Sequence, residues 1–325
     1  MTPRCDDWRA WPGEAVEPLI ALEVRTWADQ LDWDVAEAWS VLEPARASGR
    51  LPGFIARDDA GHPIGWTCFL LHRSCLQVIA LVAADAGGTR ALVEAVLASP
   101  QAESADRIIL SVRDAAPALA ATLAEQGFET TVYRYLARPR GSRYDDRKTT
   151  PGVVVRPWAG ADAAAIARLC DRAYTPSREV RAFAPNGTQD EWREYIANLL
   201  TTPDCGRFLP MASFVVAGRH RGEIDGVVLT TSLGPGTAHI AQLAVDPEVR
   251  GRGLGRLLVA RALAAVESLE FVRTTLLVSA ANQQAVAIYR REGFDDRAAF
   301  VVAGGTQPRR SSSAALAMGG ASTRR

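Results

Sequence analysis

The stretch Ala238 to Arg256, AHIAQLAVDPEVRGRGLGR, organises the rest of the chain. Ile240 to Val245 is an apolar run with the length of a buried strand, and Asp246-Pro247 breaks it with a turn signal. Arg250-Gly251-Arg252-Gly253-Leu254-Gly255 follows. Leu254, Leu258, Ala262, Val266 and Leu269 then recur at near-fourfold spacing, the pattern of a helix. A strand, a glycine-rich loop and a helix in that order offer an anion a row of free backbone N–H groups, reinforced by the helix dipole. Glycine suits such a loop because a Cβ would hold a phosphate off those amides or forbid the backbone conformation. Arg250, Arg252 and Arg256 add positive charge at the same place. No Lys-Ser/Thr follows the glycines, and their spacing is not that of the dinucleotide fingerprint.

Downstream, Val272 to Val278 reads as another buried strand. Asn282-Gln283-Gln284-Ala285 comes next, then Tyr289 on a short helix, then Gly293-Phe294. The ordered set resembles the GNAT superfamily of acyl-CoA-dependent N-acetyltransferases. Its Arg/Gln-x-x-Gly-x-Gly/Ala loop matches Arg250, Gly253 and Gly255, and its later Asn-x-x-Ala-x-x-x-Tyr pattern before Gly-Phe matches Asn282, Ala285, Tyr289, Gly293 and Phe294. The resemblance covers about residues 151–303. It implies an acetyl-CoA co-substrate and no metal, with direct attack of an amine on the thioester. The protein then supplies positioning, oxyanion stabilisation and proton management. By the same resemblance the cofactor arm lies along Leu243, Ala244 and Val245. The amide of Leu243 faces the developing oxyanion, and the pyrophosphate sits on Arg250, Gly251, Arg252, Gly253, Leu254, Gly255 and Arg256. Asn282 contacts the arm, and Tyr289 is the candidate general acid. Positions that carry a carboxylate base in many relatives are Ala241 and Gln242 here. His239, on the same strand and with a near-neutral ordinary pKa, is one candidate base; a water-relayed base or an amine that arrives neutral are the alternatives.

The first half repeats the pattern in degraded form. Ile79 to Asp85, IALVAAD, parallels Ile240 to Asp246, IAQLAVD, and Glu125-Gln126-Gly127-Phe128 parallels Arg291-Glu292-Gly293-Phe294. Only Ala86-Gly87-Gly88-Thr89-Arg90 separates Asp85 from the next helix, expected over Thr89 to Ala98, and Leu123 stands where the second copy has Tyr289. The expected fold is therefore α/β in the α+β sense. Two tandem GNAT-like domains each carry a mixed, mostly antiparallel sheet flanked by helices. The divisions are 1–138 as a degenerate copy that does not bind CoA, 139–150 as linker, 151–303 as the transferase, and 304–325 as a disordered Gly/Ser/Ala/Arg tail. The spaced tryptophans of residues 1–50 are expected in helices and core packing, with one helix starting after Pro18.

Acidic and basic residues balance at 37 each, which points to neither nucleic acid nor an anionic membrane as partner. Five scattered cysteines form no CxxC pair, and no apolar run reaches membrane length, so a cytoplasmic setting is expected. The favoured acceptor is a small-molecule primary amine, with the stretch from Tyr174 to Trp192 shaping substrate choice. A protein lysine or N-terminal acceptor, or a non-catalytic acyl-CoA-binding module, are the alternatives, and the oligomeric state is open.

Overall fold

The computed structural model describes residues 3–113, 120, 123–124, 126–142, 152–174, 184–218 and 222–306. Strands β1 (Arg4–Asp7), β2 (Gly53–Arg57), β3 (Pro63–His72), β4 (Cys75–Ala83), β5 (Arg107–Arg113) and β6 (Glu129–Pro139) belong to the first half. Strands β7 (Val155–Pro157), β8 (Arg207–Phe208), β9 (Phe214–Ala217), β10 (Ile224–Gly234), β11 (Thr237–Val245), β12 (Arg273–Ser279) and β13 (Asp295–Gly305) belong to the second. Helices α1 (Gly13–Leu31), α2 (Ala36–Trp39), α3 (Leu42–Ala47), α4 (Ala86–Leu97) and α5 (Pro100–Glu103) precede α6 (Ala163–Tyr174), α7 (Gln189–Thr201), α8 (Leu254–Ser268) and α9 (Gln283–Arg291). None is long and apolar enough to cross a membrane.

All the strands join one sheet in the order β1-β2-β3-β4-β5-β13-β6-β12-β11-β10-β9-β7, with β8 beside β10. Two pairs are parallel, β4 with β5 and β11 with β12. Both ladders are short. β11 pairs with β12 only from Thr237 to Ile240, although it runs on to Val245. The two strands therefore part into a V-shaped gap, and β4 and β5 part in the same way after Gln77 and Ile109.

The halves follow one another in sequence but interleave in space. The last strand of each crosses over: β13 pairs with β5 as well as β6, and β6 pairs with β12 from Tyr133 to Pro139. The two halves thus share one continuous ladder, and residues 143–150, most of the expected linker, lie outside the described residues. Fully buried Arg138 of β6 ties the exchange down, donating from Nε to the Glu292 carbonyl at 2.8 Å and pairing with Glu267 of α8 at 2.9 Å. Gly304 and Gly305, expected in the tail, instead pair with Ile109 and Ile108 and are buried, while residues 307–325 lie outside the described residues.

Alternation along the strands separates two faces. In the second half Val227 and Leu229 pack under α6 and α7 with Leu169, Trp192 and Ile196, whereas Val228 and Ile240 pack under α8 and α9 with Leu258 and Phe294. A third cluster joins the halves through Leu31, Trp33, Tyr135, Leu233 and Phe300. The tryptophans do pack as core: Trp8 stacks on Trp66 at 5.9 Å, with its Nε1 donating to the Leu51 carbonyl. α1 begins at Gly13, six residues before the expected start at Leu19, and carries Pro18 inside it. α4 begins at Ala86, so the short connection expected after Asp85 is itself the first helical turn.

Candidate active site

The site is built where β11 leaves β12. Opposite Leu229 and Thr230 the register steps from Gln242 to Ile240, leaving Ala241 as a β-bulge. Beyond the bulge, the N–H and C=O of a strand residue share one side and neighbours alternate. The Asp246 N–H donates to the Asp225 carbonyl of β10, so Leu243 and Val245 turn their backbone groups into the gap. Side chains confirm this from the gap side. The Tyr174 hydroxyl donates to Leu243 O at 2.5 Å, and Arg250 Nε donates to Val245 O at 3.3 Å. Tyr195 donates to Ala241 O at 3.3 Å. The carbonyls along this edge are thus occupied by side-chain donors, and the Leu243 and Val245 amides share their direction.

Past Val245 the chain makes a 3-10 turn over Pro247–Val249 and then the glycine loop. Gly251 and Gly253 sit at φ +80° and +81°, a region that only glycine enters freely, and open space surrounds the place of a Cβ at both. Gly253 is the N-cap of α8 and supplies no side-chain cap; the first helical bond runs from Leu257 N to Gly253 O. By helix geometry the amides of Leu254, Gly255 and Arg256 have no acceptor within the helix. An uncapped N-terminus reached through two left-handed glycines fits the diphosphate of a CoA. The arginines are more committed than their sequence pattern implied. Besides Val245 O, Arg250 binds Ala173 O at 2.8 Å, clasping the end of α6 to the end of β11. Arg256 pairs with the fully buried Glu292, and Arg252 is exposed.

Asn282 caps α9, its Oδ1 accepting the Ala285 N–H at 3.1 Å. One helical face then carries Tyr289, buried against Phe294 with ring centres 5.8 Å apart. Burial raises the Tyr289 phenol and so keeps its proton in place, the form a general acid presents. The Tyr174 phenol is also raised, first by burial and then by neighbours that include Cys170 and Tyr289. The two tyrosines stand on helices of opposite faces of the sheet, Tyr174 on α6 and Tyr289 on α9.

His239 does not suit the role expected of it. Its ring lies 5.5 Å from Trp33 and 6.1 Å from Tyr135 in the cluster between the halves, with Nδ1 2.9 Å from Thr275 Oγ1. Burial pulls its pKa down to about 3, which makes it a poor acceptor for an ammonium proton. Residues 175–183 of the stretch expected to shape substrate choice lie outside the described residues. The residues that motif reading passed over are Tyr174 and Tyr195. Their aromatic spacing was visible, but their hydroxyl partners lie 69 and 46 positions away in sequence.

Residues 171–294 match the acetyltransferase (GNAT) family. The chain is 29% identical over 220 residues to a mycothiol acetyltransferase of Clavibacter sepedonicus, covering 66% of this chain and 67% of that one. Over 87 residues it is 38% identical to the peptidyl-lysine N-acetyltransferase YjaB of Salmonella typhimurium, covering 27% of this chain and 53% of the relative. The chain spans about half the length of several curated relatives it matches. Its fold is similar to that of a GCN5-related N-acetyltransferase from Sphaerobacter thermophilus, with a TM-score of 0.66, 17% identity and coverage of 93% and 95%.

Proposed function

The chain belongs to the acetyltransferase (GNAT) family through residues 171–294, and from that premise we propose that it is an acetyl-CoA-dependent N-acetyltransferase acting on a primary amine of a small molecule. The observation that carries this reading is the continuous path from the open edge of β11 at Leu243 and Val245 to the uncapped N-terminus of α8. One end of the path offers strand amides to an extended arm. The other offers helix amides to a diphosphate. Acetyl-CoA, when bound, supplies the activated acyl group, and the rest is done by the chain.

In this reading the Leu243 N–H donates to the oxygen that gains charge in the transition state. Tyr289 holds a proton for the departing sulfur. With His239 depressed and packed between aromatic rings, the amine loses its proton to water or arrives neutral. The small-molecule class draws support from the longer similarity, to a mycothiol acetyltransferase. A peptidyl-lysine acceptor is favoured only by the 87-residue match.

Calorimetric titration of the protein with acetyl-CoA tests the reading. One site per chain is expected. Two sites would overturn the division of labour between the halves, and no binding would overturn the function. Thiol release on adding free amines, set against acetylation of lysine peptides, separates the two acceptor classes.

A further inference from the structure

Three consecutive residues at the end of α6 grip the donor strand and its loop: Arg172 pairs with Asp246 at 2.8 Å, the Ala173 carbonyl holds Arg250, and the Tyr174 hydroxyl holds Leu243 O. Of these only Tyr174 reaches the peptide beside the reacting centre. From these contacts we infer that Tyr174 is a positioning residue for acyl transfer: it fixes the strand at Leu243 so that this residue's N–H stays aimed into the gap. The inference rests on the transferase reading above.

The hydroxyl of Tyr174 is fully used. It donates its proton to Leu243 O and accepts from Gln242 Nε2 at 2.9 Å. Gln242 is itself buried, and it is the residue next to the bulged Ala241. One phenol therefore ties the backbone of Leu243 to the side chain of its neighbour, just where the bulge has released the strand from regular pairing. The Tyr174 ring is held in turn by stacking on Trp192 of α7, with centres 5.4 Å apart and planes at 22°. A proton committed to a carbonyl is not available to a leaving group. This separates the two buried tyrosines by role: Tyr289 can act as acid, whereas Tyr174 acts through Leu243.

Removing the hydroxyl as Tyr174→Phe keeps the ring stack and leaves the half-buried Leu243 carbonyl and the buried Gln242 amide without this partner. The Leu243–Ala244 peptide then loses the anchor on its carbonyl. The Leu243 backbone, whose own N–H belongs to the preceding Gln242–Leu243 peptide, is held less firmly while that N–H remains present. The expected loss in kcat is about tenfold, less than the roughly 100- to 1000-fold that follows loss of an oxyanion donor outright. Affinity for acetyl-CoA should stay within about twofold, because the diphosphate site at α8 is untouched. Gln242→Leu should have a smaller effect, and the double variant should fall no further than Tyr174→Phe alone, since both changes break one connected pair of bonds. The alkaline limb of the pH–rate profile should keep its wild-type position in Tyr174→Phe.

A wild-type kcat in Tyr174→Phe overturns the inference. So does a parallel loss of kcat, acetyl-CoA affinity and melting temperature, which would mark a merely structural role. A shifted alkaline limb overturns it too, by making Tyr174 the acid. If the wild-type protein bound no acetyl-CoA, the transferase reading would fail first and the role of Tyr174 with it.

Discussion

The crossover from central strand to following helix occurs twice, and the two copies use the same aspartate in opposite ways. In the first half Asp85 ends the strand and caps α4 at once, its Oδ1 accepting the Gly88 N–H at 2.7 Å. A carboxylate of the chain thus occupies the place where a phosphate would bind. In the second half Asp246 caps only the 3-10 turn, accepting the Glu248 N–H at 3.0 Å, and its other oxygen is held by Arg172. α8 does not begin until Leu254, behind Gly253, and meets no side-chain cap. Strand, gap and helix are common to both halves. The inserted loop makes the difference, because it moves the native carboxylate away and leaves the helix N-terminus open to an anion from outside.

The most direct way to break this comparison is to give the second crossover the first one's cap. Gly253→Asp puts a carboxylate at the N-cap of α8, and aspartate is among the residues that tolerate left-handed backbone. Acetyl-CoA affinity should fall on the order of 100-fold, the loss of two hydrogen bonds to a charged group at about 1.5 kcal/mol each. Melting temperature should change little, since the new cap offsets the strain. Calorimetry and a thermal scan on the same sample check both halves of this claim, and unchanged affinity would remove α8 as the diphosphate site.

A second contrast concerns the parallel ladder of the second half: where the aligned position of the first half is Val78, this ladder buries His239 opposite Thr275. Burial holds its folded pKa near 3, against about 6.5 in an unfolded chain. Below pH 6.5 the unfolded chain takes up a proton that the folded one refuses, so stability is lost as pH falls through that value. The cost by pH 5.5 is about 1.4 kcal/mol, or roughly 2–4 °C in Tm for a chain of moderate size. His239→Gln should flatten the Tm profile between pH 7.5 and 5.5. An identical slope in the variant would show that the ring is already hydrated.

These contrasts also mark what the sequence could disclose. The glycine loop, the start of α8 at Leu254 and the placing of Tyr289 on a short helix were all legible, because each depends on neighbours within a turn or two. The exchange of β6 and β13 was not. Strands of either half offer similar apolar faces, and nothing local to Tyr133 or Phe300 specifies which half supplies the partner edge. His239 misled for the same reason: its character as a base depends on Trp33, Tyr135 and Thr275, which only the folded chain brings around it. Arg250 looked like a phosphate ligand by charge and spacing. Its hydrogen bonds to Val245 O and Ala173 O, which also tie the loop to β11 and α6, depend on partners that only the folded chain brings near.

The smallest effect expected sharpens the comparison from the other side. Asp85→Ala removes the cap that closes the first helix and uncovers its amides. If an open helix N-terminus were sufficient for the donor, this variant would gain a second acetyl-CoA site. It should not. α4 starts directly after Asp85, and no loop with left-handed glycines intervenes to let a diphosphate approach the backbone. The expected outcome is a loss of about 1 kcal/mol, the ordinary worth of an N-cap, seen as a drop of a few degrees at most in Tm. Titration should still reach one acetyl-CoA per chain. A second site would mean that the carboxylate alone silences the first half; an unchanged count assigns the difference to the loop that places Arg250 to Gly253 between strand and helix.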